Sequence, residues 1–271
     1  MTGKEAPIGI FDSGIGGLTV FREVYRNLPN ENIVYFGDTA RVPYGSKSPE
    51  TVLRYSRQIV HFLKTCGVKA IVVACNTASA LALDVLEQEV DLPVLGVVKP
   101  GAAVACEMTK NRKIGLIATE STVKSGLYER LIRGIDPADT VYSKACPLLV
   151  PLVEEGWTDD PITLEVIKRY LGGLLEKDID TLILGCTHYP LLRGLIRKYL
   201  GDSVSLVNPA YETARTLERM LDELDLKNPS TAEPVYRFYA SDSTDGIRRI
   251  AERILPDCMD FSVQAVSIEE Y

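Results

Sequence analysis

The chain has only two histidines, His61 and His188, in 271 residues. It contains neither an HExxH motif nor a CxxC pair. A conventional zinc site therefore lacks ligands at suitable spacing, and dithiol redox chemistry lacks its usual motif. Positive charge is not in excess either. Asp and Glu number 37 against 30 Lys and Arg, a net charge of −7. That balance leaves no electrostatic footprint for nucleic acid. No apolar run reaches the ~18 residues of a membrane span. The segment Met1–Pro7 lacks the apolar core of a signal peptide. We expect a cytoplasmic protein without a membrane partner, its six cysteines reduced. The cluster Gly14, Gly16 and Gly17 looks like a phosphate cradle. It departs from the dinucleotide-binding pattern at Thr19, however, and no P-loop occurs, so it supports nucleotide binding only weakly.

What is present is a chain able to bury a large core: 46% of residues are hydrophobic and 25% charged. Short apolar runs alternate with helical patterns. Strands are expected at Pro7–Phe11, Asn32–Phe36, 70–74, Pro93–Val98, Lys113–Ala118, Thr140–Ala145, Thr181–Gly185, Val204–Val207, Val235–Tyr239 and Phe261–Val266. Helices are expected at Leu18–Asn27, after Ser48-Pro49, at Ala78–Glu89, at Thr122–Arg133 closed by Gly134, from Asp160-Pro161 to Glu176, at Pro190–Leu200, after Asn208-Pro209, and at Thr244–Ile254. This alternation predicts parallel sheets covered by helices on both faces.

Two of the apolar runs end in cysteine. Ala70-Ile71-Val72-Val73-Ala74 leads into Cys75-Asn76-Thr77, and Thr181-Leu182-Ile183-Leu184-Gly185 leads into Cys186-Thr187-His188. Other segments repeat in the same order. Ile8-Gly9-Ile10 resembles Ile114-Gly115-Leu116, and Leu95 to Pro100 resembles Leu206 to Pro209. We read two similar three-layer α/β domains related by a pseudo-two-fold. The first comprises 1–98 plus 209–271 and the second 99–208.

Ligands of open α/β sheets bind beyond the carboxyl ends of the strands. The turns at Asp12-Ser13, Asp38, Tyr44-Gly45, Cys75-Asn76-Thr77 and Cys186-Thr187-His188 would then line one inter-domain cleft. A thiol at a helix start is favoured as thiolate by free N–H groups and the helix dipole. The same N–H groups, with the hydroxyls of Thr77 and Thr187, suit a carboxylate. Two thiols facing one substrate could serve as acid and base. Free cysteine is otherwise among the most buried residue types, and Cys66, Cys106, Cys146 and Cys258 read as packing. From the residues alone, a non-catalytic amino-acid-binding module and a thiol redox protein stay open as alternatives.

The segments Gly9 to Gly17, Asp38 to Gly45, Ala74 to Ala78 and Leu184 to Pro190 resemble the glutamate racemase family over nearly the whole chain. That resemblance implies two α/β domains and interconversion of L- and D-glutamate without pyridoxal phosphate or metal. It further implies a supply of D-glutamate for peptidoglycan, and a homodimer. Cys75 and Cys186 match the family's two acid/base residues. Asp12, Ser13, Tyr44, Gly45, Asn76, Thr77, Thr187 and His188 match substrate-contacting positions. Asp12, Asp38, His188 and Glu154 match assisting ones. Asp12 is expected beside Cys75 and His188 beside Cys186. A related aspartate racemase would use the same chemistry on a shorter side chain.

Overall fold

A computed structural model describes residues 3–242, 244–255 and 261–271. Cys258 lies outside them. Ten strands form two parallel sheets among these residues. They are β1 (Ile8–Asp12), β2 (Ile33–Gly37), β3 (Ala70–Val73), β4 (Val94–Gly96), β5 (Lys113–Ala118), β6 (Thr140–Ala145), β7 (Thr181–Gly185), β8 (Ser205–Val207), β9 (Tyr236–Ala240) and β10 (Val263–Ala265). The first sheet runs β10-β9-β2-β1-β3-β4 and the second β6-β5-β7-β8. The order β2-β1-β3-β4 is thus repeated as β6-β5-β7-β8, with β9 and β10 added to the first sheet's edge. Both cysteine runs become the third strand of their half, and Cys75 and Cys186 follow closely on the equivalent strands β3 and β7.

The central strands β1, β2, β3 and β7 are buried along their whole length. Parallel strands covered on both faces read as continuous apolar runs rather than alternating ones. Each face of each sheet has its own core. Phe21, Val24 and Leu217 pack on one face of the first sheet, and Ile59, Leu63 and Leu86 on the other. In the second sheet the corresponding faces are covered by Ile167, Leu171 and Ile196, and by Ala102, Tyr128 and Ile132.

Helix starts follow local chemistry. The side chains of Ser48, Asp160 and Asn208 accept N–H bonds at the head of Pro49–Thr65, Pro161–Leu175 and Pro209–Glu223, each with proline at the first position.

Several boundaries differ from the sequence expectation. The helix expected over Ala78–Glu89 begins at Asn76 and breaks at Ala82, giving Asn76–Leu81 and Leu83–Glu89. The helix closed by Gly134 is instead interrupted at Gly126, whose φ of 62° is left-handed, and Gly134 lies inside Leu127–Ile135. The strand expected to reach Val98 ends at Gly96, and a helix spans Val98–Met108. Among the described residues no helix is long and apolar enough to cross a membrane.

Candidate active site

Cys75 caps the helix Asn76–Leu81, its sulfur accepting the Ala78 N–H at 3.4 Å. It donates to Ser13 Oγ at 3.5 Å. Cys186 Sγ lies 3.7 Å from His188 Nδ1, and His188 Nε2 lies 3.2 Å from Glu154 Oε1. The two thiols, contributed by different sheets, line a single cavity together with Ser13, Tyr44, Gly45, Asn76, Thr77, Thr187 and His188. Thr119 and Val150 also line it.

The thiols differ in their electrostatics. Burial first, then the Asp12 carboxylate, push the Cys75 thiol from its ordinary 9.0 up to about 12. The Ala78 N–H and Ser13 pull the other way but are outweighed, so the helix start does not by itself make a thiolate here. At His188, burial acts to lower the imidazole. The contacts to Cys186 and Glu154, with the charges of Cys186 and Asp12, overcome it and raise His188 to about 10. A neutral thiol at Cys75 therefore faces a second cysteine, Cys186, whose sulfur is in contact with an imidazolium.

Asp12 is fully buried. Its Oδ2 accepts the N–H groups of Gly14 and Gly17 at 3.1 and 3.0 Å, and its Oδ1 accepts from Thr187 Oγ1 at 3.3 Å. Burial raises its pKa against the pull of the His188 charge and these donors. Its influence on Cys75 is through charge, because its hydrogen bonds go elsewhere. Asp38 stands back from the thiols. It accepts from Arg41 Nε at 2.7 Å, from Ser241 Oγ at 2.7 Å and from the Tyr44 phenol, and so braces the loop carrying Tyr44 and Gly45. Tyr44 thus has its side chain engaged with Asp38.

Three features are additional to the residues recognised in the sequence. Thr77, Thr119 and Thr122 join their hydroxyls in a triangle with edges of 2.9, 3.2 and 2.9 Å. The repeat held the signal for Thr119. Extending the match of Ile8-Gly9-Ile10 with Ile114-Gly115-Leu116 by three residues sets Ser13 opposite Thr119. Tyr128 reaches Asn76 from the second half. Finally, the glycine loop meets the other half: a Cβ on Gly16 would stand 2.5 Å from both His188 Nδ1 and Thr187 Oγ1. This loop is the place where the second cysteine turn docks.

Further bonds cross the cleft. Thr19 Oγ1 lies 3.0 Å from the Thr187 carbonyl, and Ser121 Oγ donates to the Gly45 carbonyl at 2.8 Å. The cavity between the thiols is only about 10 Å³, near the smallest that holds one water. A volume of that size does not hold an amino acid in this arrangement. A roomier groove of about 490 Å³ along Arg57, His61 and Lys64 lies elsewhere. Its cations Arg57 and Lys64 are paired with Glu89 and Asp91, and it contains no thiol. Among the described residues no group of three or more His, Cys, Asp or Glu is placed to hold a metal ion.

Comparison with known proteins places this geometry in context. Residues 9–217 match the family described as Asp/Glu/Hydantoin racemase. A glutamate racemase of Geobacter metallireducens is 49% identical over 248 residues, 92% of each chain. One from Neisseria meningitidis is 49% identical over 267 residues, 98% of each. The crystal structure of a glutamate racemase isoform from Bacillus anthracis superposes with a TM-score of 0.93 at 43% identity, covering 97% of this chain and 98% of that one. That of the Francisella tularensis glutamate racemase in complex with D-glutamate gives 0.91 at 39% identity, covering 99% and 100%.

Proposed function

The chain belongs to the glutamate racemases of the Asp/Glu/Hydantoin racemase family, and on that premise we propose that it interconverts L- and D-glutamate by a two-thiol mechanism. One observation carries the mechanism: two cysteines from equivalent strand ends of two sheets line one cavity. The inversion needs a base on one face of the α-carbon and an acid on the other. With Cys186 as thiolate, its sulfur takes the α-proton and the C–H electron pair stays on carbon. The Cys75 thiol then returns a proton to the opposite face, leaving Cys75 as the thiolate. The reverse turnover exchanges the roles.

The substrate α-carboxylate is received by the N–H groups and side chains of Asn76, Thr77 and Thr187, and its ammonium by Asp12 and Ser13. The Thr77–Thr119–Thr122 hydroxyls and the Tyr44 and Gly45 N–H groups suit the distal carboxylate. Fixed donors where charge develops supply a large share of the ~8 kcal/mol or more by which enzymes lower a barrier. His188, oriented by Glu154, stabilises the Cys186 thiolate, while Asp12 acts on Cys75 by charge and Asp38 acts by bracing the Tyr44 loop. The domains are 1–98 with 209–271 and 99–208. By family resemblance the product D-glutamate supplies peptidoglycan synthesis in the cytoplasm, and the enzyme is a homodimer.

The test is incubation with each glutamate enantiomer in deuterium oxide without added cofactor, with aspartate alongside, following optical rotation and α-deuteration. Racemisation of glutamate with deuterium uptake is expected, and folded protein that exchanges neither enantiomer would sink the reading. Cys75→Ala and Cys186→Ala should each abolish racemisation. Near-wild-type turnover in either would refute the two-thiol assignment.

A further inference from the structure

Tyr128 has its ring in the core of the second half, against Ala102, Ala105 and Ile132, yet its hydroxyl leaves that core. It donates to Asn76 Oδ1 at 2.7 Å, across to the first half. Tyr128 is fully buried and Asn76 is 4% exposed. Asn76 directly follows Cys75 and lines the cavity.

A carboxamide presents a donor on one side and an acceptor on the other, and only its surroundings decide which way round it sits. Burial, with the charge of Cys186 adding to it, drives the Tyr128 phenol above its ordinary value, so its proton is retained. A buried hydroxyl needs an acceptor for that proton, and the acceptor present is Asn76 Oδ1. Oδ1 is thereby turned towards Tyr128. The amide's other edge, Nδ2, donates to no partner among the described residues and is free to donate to a ligand. Reversed, the amide would offer an oxygen to the substrate carboxylate and leave the phenol without an acceptor.

We infer that Tyr128 is a positioning residue: its hydroxyl locks the Asn76 carboxamide with Nδ2 directed at the α-carboxylate of the amino-acid substrate. The bond joins the two halves, so the amide is fixed only when they come together. Carboxylate recognition is thereby coupled to closure. This inference rests on the racemase reading above.

The experiment is a double-mutant cycle on racemisation of both enantiomers, using Tyr128→Phe, Asn76→Ala and the pair. Tyr128→Phe removes one oxygen and should lower kcat/KM about tenfold, mostly through a higher KM. Asn76→Ala should lose at least as much. The double variant should be no worse than Asn76→Ala alone, since Tyr128 acts only through Asn76. A purely structural hydroxyl would give multiplying losses, and that result, or wild-type kinetics for Tyr128→Phe, overturns the inference. A second measurement uses 3-fluorotyrosine at position 128, which keeps the hydroxyl and strengthens it as a donor. It should stay within about twofold of wild type, and a tenfold loss there would also overturn the inference. If the wild-type protein itself does not racemise glutamate, it is the underlying function that fails, and the control distinguishes the two.

Discussion

Replacing Gly16 by alanine tests how the halves meet. Gly16 does not have a left-handed φ, so alanine fits its backbone. The new methyl has its three nearest neighbours in the opposite half: His188 Nδ1 and Thr187 Oγ1 at 2.5 Å, and His188 Cε1 at 2.7 Å. These atoms cannot easily yield. His188 is held at Nε2 by Glu154 at 3.2 Å, and Thr187 bonds Asp12 at 3.3 Å. Overpacking of this kind costs about 1–3 kcal/mol. If substrate entry requires the halves to part, this cost weighs against the closed arrangement. At about 1.4 kcal/mol per decade, kcat/KM should drop about five- to 150-fold. The melting temperature should hold or rise slightly, since alanine reduces the freedom of the unfolded chain. Gly14→Ala is the control: its tight contact, Val42 Cγ2 at 3.1 Å, is within its own half, and the other half is reached only at ordinary van der Waals distance, by Glu154 Oε1 at 3.9 Å. Kinetics by polarimetry and melting by circular dichroism decide the matter. Wild-type kcat/KM in Gly16→Ala, or a loss matched by Gly14→Ala, would refute the closure argument.

Two further outcomes are expected. His188 is raised from 6.5 to about 10, so the stability it lends is fully present below the lower value and lost as pH rises through the upper. Urea unfolding should therefore weaken between about pH 7 and pH 9 more steeply in wild type than in His188→Asn, and parallel curves would contradict the pairing with Cys186 and Glu154. At the far end of the strands, Lys69 Nζ lies 2.5 Å from Glu31 Oε2, with the two side chains 0% and 2% exposed. Glu31→Gln should cost about 3 kcal/mol in chemical denaturation while leaving kcat unchanged. An unaltered midpoint would show that this pair is dispensable.

The strands and the two thiol positions were legible because buried parallel strands leave unbroken apolar runs that end abruptly in polar turns. Helix boundaries were less so. Lys99-Pro100-Gly101 looks like a terminator, yet it forms the first turn of Val98–Met108, where proline needs no N–H partner and a glycine can face Pro209. At Ala82 no residue type marks the break. Tyr128 and Thr122 were invisible for a different reason. Each acquires its role from a partner about 50 residues away in the other half, and periodicity carries no information about such pairs. Asp12 was recognisable as a site residue, but its partners were not: its oxygens go to Gly14, Gly17 and Thr187.

The repeat also explains why the thiols are not alike. Two identical halves would present two identical sulfurs, with nothing to make one the acid and the other the base. The matched positions differ at two places that matter. Asp12 at the end of β1 corresponds to Ala118 at the end of β5. Thr77, two residues after Cys75, corresponds to His188, two residues after Cys186. Each half therefore contributes one charge that the other lacks, and the two charges act on each other, Asp12 helping to raise His188. Burial and the negative member keep the proton on Cys75, and the positive member touches the Cys186 sulfur. On the proposed mechanism, these two charges, one from each half, give the two sulfurs different surroundings and so different starting roles.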